Sequence, residues 1–133
     1  MIMTQDDKDL LLRDLCGRLP YRVKVSYYDL DEEILKCDTL EGVERSFVTV
    51  DGFQWEITDI KPYLFPLSSM TEEQREELVS KHLGYYQIFE GVGRRFFFEK
   101  GYEIYDWFNK NQFDYRNLIG KNLAIDCTNL NIY

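Results

Sequence analysis

The sequence predicts an α+β domain, an antiparallel sheet of about four to six strands packed with two or three helices. Three observations predict it. Residues 21–27 alternate strictly, with Tyr21, Val23, Val25 and Tyr27 on one face and Arg22, Lys24 and Ser26 on the other, the period of a half-buried strand. Asp51-Gly52 separates two further alternating runs, and Asp-Gly suits the type I′ hairpin turn because both central residues need positive φ. At Thr71-Glu72-Glu73-Gln74 a complete capping box opens a helix.

Along the chain, residues 4–16 read as the first helix. Thr4 with Asp7 makes a near capping box, Leu11, Leu12 and Leu15 recur at helical spacing, Gly17 suits the position just past the end, and Pro20 stops the segment. Residues 21–60 then read as about four antiparallel strands. Between the first two, Asp29-Leu30-Asp31-Glu32-Glu33 lacks the glycine and the distal glutamate of a calcium loop and reads as an acidic turn. Residues 61–67 carry Pro62 and Pro66 and are expected to run extended over the core as a connector.

The second helix carries Leu78, Val79, His82 and Leu83 on one stripe and is expected to end at Gly84. Residues 85–90 and 96–98 read as strands around Gly91-Val92-Gly93. A third helix is expected over 102–111, with Ile104, Trp107 and Phe108 sharing a face. Residues 113–116 and 118–119 read as a short helical turn, and 123–127 as a final strand. With no repeat or linker, residues 1–133 are expected to form a single domain.

Three stretches resemble a known group. They are residues 4–16, around Asp6-Asp7 and Leu10-Leu11-Leu12, residues 61–74, from Lys61-Pro62-Tyr63 to Thr71-Glu72-Glu73-Gln74, and residues 106–119, from Asp106-Trp107-Phe108 to Asp114-Tyr115-Arg116. Together they resemble an uncharacterised family of small proteins encoded by gut Bacteroidales and by their phages and mobile elements. The resemblance implies a context, an accessory protein of phage or mobile-element origin, and no mechanism.

Composition narrows the function. A hydrophobic fraction of 44% with 16% aromatic residues is that of a chain that folds by itself. Twenty-four acidic against 16 basic residues, a net charge of −8, disfavour direct binding to nucleic acid or to an anionic membrane. No apolar run approaches the roughly 20 residues that span a bilayer, and the acidic start is unlike a signal peptide, so the expected location is the cytoplasm. Cys16, Cys37 and Cys127 form no CxxC pair and are expected to be free, buried thiols in a reducing compartment.

Motifs for catalysis, metal binding and cofactor binding are missing: there is no GxSxG, HExxH or Walker A pattern. The single histidine, His82, reads either as a base or as a residue of the helix face. The candidate ligand-binding residues are Arg94, Arg95, Tyr85 and Tyr86, with Tyr115 and Arg116. Two guanidiniums on a loop flexed by Gly91 and Gly93 can hold a phosphate in bidentate fashion while neighbouring tyrosines stack a base. The same residues also read structurally, Arg94 and Arg95 as solvated turn charges, Tyr115-Arg116 as a packing corner with the arginine paired to a carboxylate. The expected function is therefore a non-catalytic accessory protein that binds a host protein as a counter-defence factor. The alternative is a protein that sequesters a small anionic nucleotide signal.

Overall fold

A computed structural model describes residues 3–45, 47–78, 80 and 101–133. The fold is α+β, a mixed and mostly antiparallel sheet with three α-helices among the described residues. The helices are α1 (Gln5–Arg18), α2 (Glu72–Leu78) and α3 (Gly101–Lys110). The strands are β1 (Lys24–Asp29), β2 (Ile34–Val43), β3 (Phe47–Val50), β4 (Phe53–Glu56), β5 (Lys61–Pro66), β6 (Phe113–Asp114) and β7 (Ile125–Asp126). Their order is β4-β3-β2-β1-β5-β6, and β7 also pairs with β5. The expected strands at 85–90 and 96–98, the second helix beyond Leu78 apart from Ser80, and His82 lie outside the described residues.

Both capping boxes form. Thr4 Oγ1 accepts from Asp7 N at 3.1 Å while Thr4 N donates to Asp7 Oδ2. Thr71 N likewise donates to Gln74 Oε1, and Gln74 N donates to Thr71 Oγ1. Helix α1 runs past its expected end, because Gly17 is not the left-handed cap. It lies inside the helix, where a Cβ would sit 3.0 Å from Asn109 Nδ2 of α3, so glycine there serves close helix approach. A 3₁₀ turn at Leu19–Tyr21 follows, and Arg22 takes the left-handed conformation instead. That is why β1 starts at Lys24 rather than at residue 21. The apolar face survives, since Val23, Val25 and Tyr27 are buried, although Ser26 on the other face is buried as well.

The segment 61–67 needs the largest correction. It is the strand β5, antiparallel to β1 at Val25↔Pro62 and Ser26↔Lys61, and parallel to both β6 and β7. Proline removes donors only at 62 and 66, and the bonds that hold the strand run through other residues. Phe65 N donates to Gln112 O, and Cys127 N donates to Leu64 O. Residues 113–116 hold the strand β6 in place of a helical turn, since the Asp114 carboxylate accepts from Leu118 N and Ile119 N and folds the following residues into a turn.

One core lies between α1 and the sheet, built on Leu11, Leu15, Val25, Leu40, Val50 and Leu64. A second joins α2, α3 and β6 through Leu78, Ile104, Trp107, Phe108 and Phe113, with the rings of Trp107 and Phe113 stacked at 5.6 Å. All three cysteines are free, but only Cys127 is buried, whereas Cys16 and Cys37 are exposed. Burial pushes the Cys127 thiol up to about 11.

At the β3–β4 turn Asp51 and Gly52 have φ of 52° and 76°, the two positive values that a type I′ turn requires. A Cβ on Gly52 would meet nothing within 4 Å, so the demand is conformational. Gly52→Val is expected to destabilise the domain by about 1–2 kcal/mol, read as a lowered midpoint in urea with unchanged slope.

Candidate functional site

Two constellations stand out. The first is a charged corner where Tyr115 and Arg116 fall. On α1 the buried stripe is Leu11, Asp14, Leu15 and Arg18, spaced i, i+3, i+4, i+7, so a charge pair occupies two positions of an apolar face. Both Asp14 and Arg18 are fully buried. Arg18 Nε donates to Asp14 Oδ2 at 2.8 Å and Nη2 to Asp14 Oδ1 at 3.2 Å. Arg18 Nη2 also donates to Phe113 O at 2.6 Å, which ties α1 to β6. Arg18 Nη1 has no hydrogen-bond partner among the described residues.

Two guanidiniums lie against the Tyr115 ring, with Arg18 Cζ 5.3 Å and Arg116 Cζ 5.0 Å from its centre. Its hydroxyl donates to Asn109 Oδ1 at 3.0 Å. Arg116 Nε stands 3.3 Å from Asp14 Oδ1 but makes no hydrogen bond; its attraction to Asp14 is one of charge proximity, not of a directed donor. The structure thus brings Tyr115 and Arg116 together as an internal packing corner, with the arginine beside a carboxylate. Arg94, Arg95, Tyr85 and Tyr86 lie outside the described residues. Sequence reading missed Asp14 and Arg18, because an i, i+4 pair of opposite charge ordinarily marks a solvated helix face. Their coincidence with the Leu11–Leu15 stripe was the available signal.

The second constellation is an arm. Strand β2 pairs with β3 only from Leu40 onward, and β1 pairs with β5 only at Val25 and Ser26. Beyond those points, among the described residues, β1 and β2 pair only with each other, through Tyr27↔Lys36, Tyr28↔Leu35 and Asp29↔Ile34. This two-stranded end exposes large apolar side chains: Tyr28 is 46% accessible, Leu35 61%, Ile34 49% and Leu30, in the turn, 78%. Tyr28 and Leu35 are cross-strand partners on one face. Around them, residues 27–38 carry five carboxylates against the one ammonium of Lys36.

The turn of the arm is built on Asp29. Its Oδ1 accepts from Asp31 N at 2.9 Å and Glu32 N at 3.1 Å, and Lys36 Nζ lies 2.9 Å from Oδ2 and 3.0 Å from Glu32 Oε2. The hydrogen bond from Lys36, then those from the backbone, hold the Asp29 carboxyl below its ordinary value. Among the described residues, no cluster of three or more His, Cys, Asp or Glu is placed to hold a metal ion. Among them also, no helix is long and apolar enough to cross a membrane. Comparison of the chain with protein families, with curated proteins and with solved structures finds no match.

Arg18→Met should cost about 3–5 kcal/mol of stability, because it leaves the Asp14 carboxylate buried without its bidentate partner. The double change Asp14→Leu with Arg18→Met should recover a large part of that loss, as chemical denaturation of the three proteins would register. For the arm, the sign follows from the lowered carboxyl of Asp29. Its contribution is complete above the ordinary carboxylate range near 3.8 and is lost as the pH falls through the lower folded value. Amide resonances of Asp31 and Glu32 should therefore shift with acid below that range, and in Asp29→Asn this titration should vanish.

Proposed function

We propose that this protein is a non-catalytic accessory factor of a phage or mobile element that works in the host cytoplasm by binding a host protein, as a counter-defence factor does. The observation that carries the binding reading is the β1–β2 arm. Exposed apolar residues are ordinary when scattered, but a contiguous set rimmed by charge marks an interaction surface. Here Tyr28 and Leu35 stand side by side on one face at the end of a two-stranded projection, with Ile34 on the opposite face and Leu30 in the turn, beside Asp31, Glu32 and Glu33. The fitting partner is a folded protein with an apolar groove bordered by lysine or arginine. Apolar contact would supply affinity, and the acidic rim would speed encounter and set orientation. The phage or mobile-element origin rests on the resemblance of residues 4–16, 61–74 and 106–119.

The test is affinity purification from the native host with the wild type and with Leu30→Asp/Leu35→Asp. Both side chains are exposed, so the variant should keep the wild-type melting temperature. A host protein retained by the wild type should be lost from the variant, and the purified pair should associate more slowly as salt is raised. Retention of the same partner by the variant would place the binding surface elsewhere.

A further inference from the structure

A cavity of about 390 Å³ opens between the start of α1, the turn at Ile57–Asp59 that precedes β5, and the loop before β7. Its charge contradicts that of the molecule. Lys8, Lys61 and Lys121 line it against the single carboxylate of Asp7, in a chain of net charge −8. Among the described residues none of the three ammoniums has an ion-pair partner.

The hydrogen-bonding capacity is equally one-sided. Asp7 Oδ2 accepts from Thr4 N, and Asn122 Oδ1 accepts from Lys61 Nζ at 3.0 Å, so these acceptors are already engaged. The ammoniums of Lys8 and Lys121 and the Asn122 side-chain amide N–H groups remain as donors among the described residues of the lining, against Asp7 Oδ1 as the remaining charged acceptor, while the Thr58 hydroxyl can serve either way. A lining rich in donors and poor in free acceptors suits a ligand group that only accepts. Three ammoniums against one carboxylate leave two positive charges, the complement of a phosphomonoester dianion. Met3 and Leu123 add apolar surface, and the volume lies in the range of small-molecule sites.

We infer that this cavity binds a phosphomonoester of a small organic alcohol, its phosphate held by Lys8, Lys61 and Lys121. The site shares no residue with the arm and stands independently of the protein-binding reading.

Calorimetric titration with adenosine monophosphate and ribose 5-phosphate, with adenosine as the uncharged control, tests it. At least one of the two phosphomonoesters should bind, adenosine should not, and affinity should weaken as salt is raised. Lys61→Gln and Lys121→Gln should each weaken binding about fivefold, the size of a partly solvated charge contact. Lys110→Gln, which removes a charge on α3 away from the lining, should leave it unchanged. Lys121 is exposed, so its variant keeps the fold and reports on the site alone. No heat from either phosphomonoester, or equal affinity in the Lys121→Gln and wild-type proteins, would overturn the inference.

Discussion

The buried pair Asp14–Arg18 is the constraint on which the arrangement of α1, α3 and β6 depends. Burial of two charges is costly unless they are paired and hydrogen-bonded, and here Nε and Nη2 of one guanidinium must find both Asp14 oxygens and the Phe113 carbonyl, with Nη1 left over. That requirement fixes the rotation of α1, since turning it by one residue would expose the pair and bury its neighbours. It also fixes where the chain re-enters the sheet after α3. From the same corner Gln112 Nε2 reaches Tyr21 O, and Tyr115 reaches Asn109, the residue whose amide stands over Gly17. The two helices and the strand β6 are thus held by polar contacts of defined geometry, not by apolar contact alone.

Much of this fold was legible in the sequence because it rests on local rules. Capping boxes at Thr4 and Thr71 and the Asp51-Gly52 turn are decided within four residues, and all three form. The meander of β1–β4 follows from alternation. What escaped was decided by residues far apart in the chain. Pro62 and Pro66 argue locally for a connector, and only the arrival of Gln112 and Cys127 makes β5 a strand. Asp14 and Arg18 look solvated until Phe113, some ninety-five positions away, supplies the carbonyl that makes burial tolerable. The candidate site divides in the same way. Tyr115 and Arg116 were legible as a corner paired to a carboxylate, whereas the lysine-lined cavity joins α1, the turn before β5 and the loop before β7, and no short-range pattern links them.

Where the β1–β5 ladder ends, a side chain takes over. In the register Val25↔Pro62 and Ser26↔Lys61, the next rung would join Lys24 to Tyr63. There the Tyr133 hydroxyl accepts from Lys24 N at 2.9 Å and donates to Tyr63 O at 2.8 Å. One phenol bridges the two strands as an ordered water would, and Lys24 Nζ donates to Ile132 O beside it. Although Tyr133 as a whole is 47% accessible, desolvation of its bridging hydroxyl raises the phenol pKa above the ordinary value, so it is protonated and able to donate throughout the neutral range.

The arm owes its exposure to two turns rather than to any feature of its own strands. On one edge, β3 ends at Val50 because Asp51-Gly52 reverses the chain. The partner of Leu40 is therefore the last residue β3 can offer, and β3 leaves Ile34 to Thr39 without a rung on that side. Gly52 N donates to Glu41 Oε1 at 2.8 Å, which pins the reversal to the bulge between Leu40 and Gly42. On the other edge, the chain before Lys61 curls into the turn at Ile57–Asp59, so β5 does not continue alongside Tyr27 and Tyr28. An edge so bared invites uncontrolled strand pairing, and the density of carboxylates at its tip opposes association with another copy of the same acidic chain. The charge that protects the arm from its own kind is therefore the charge that would select a basic partner.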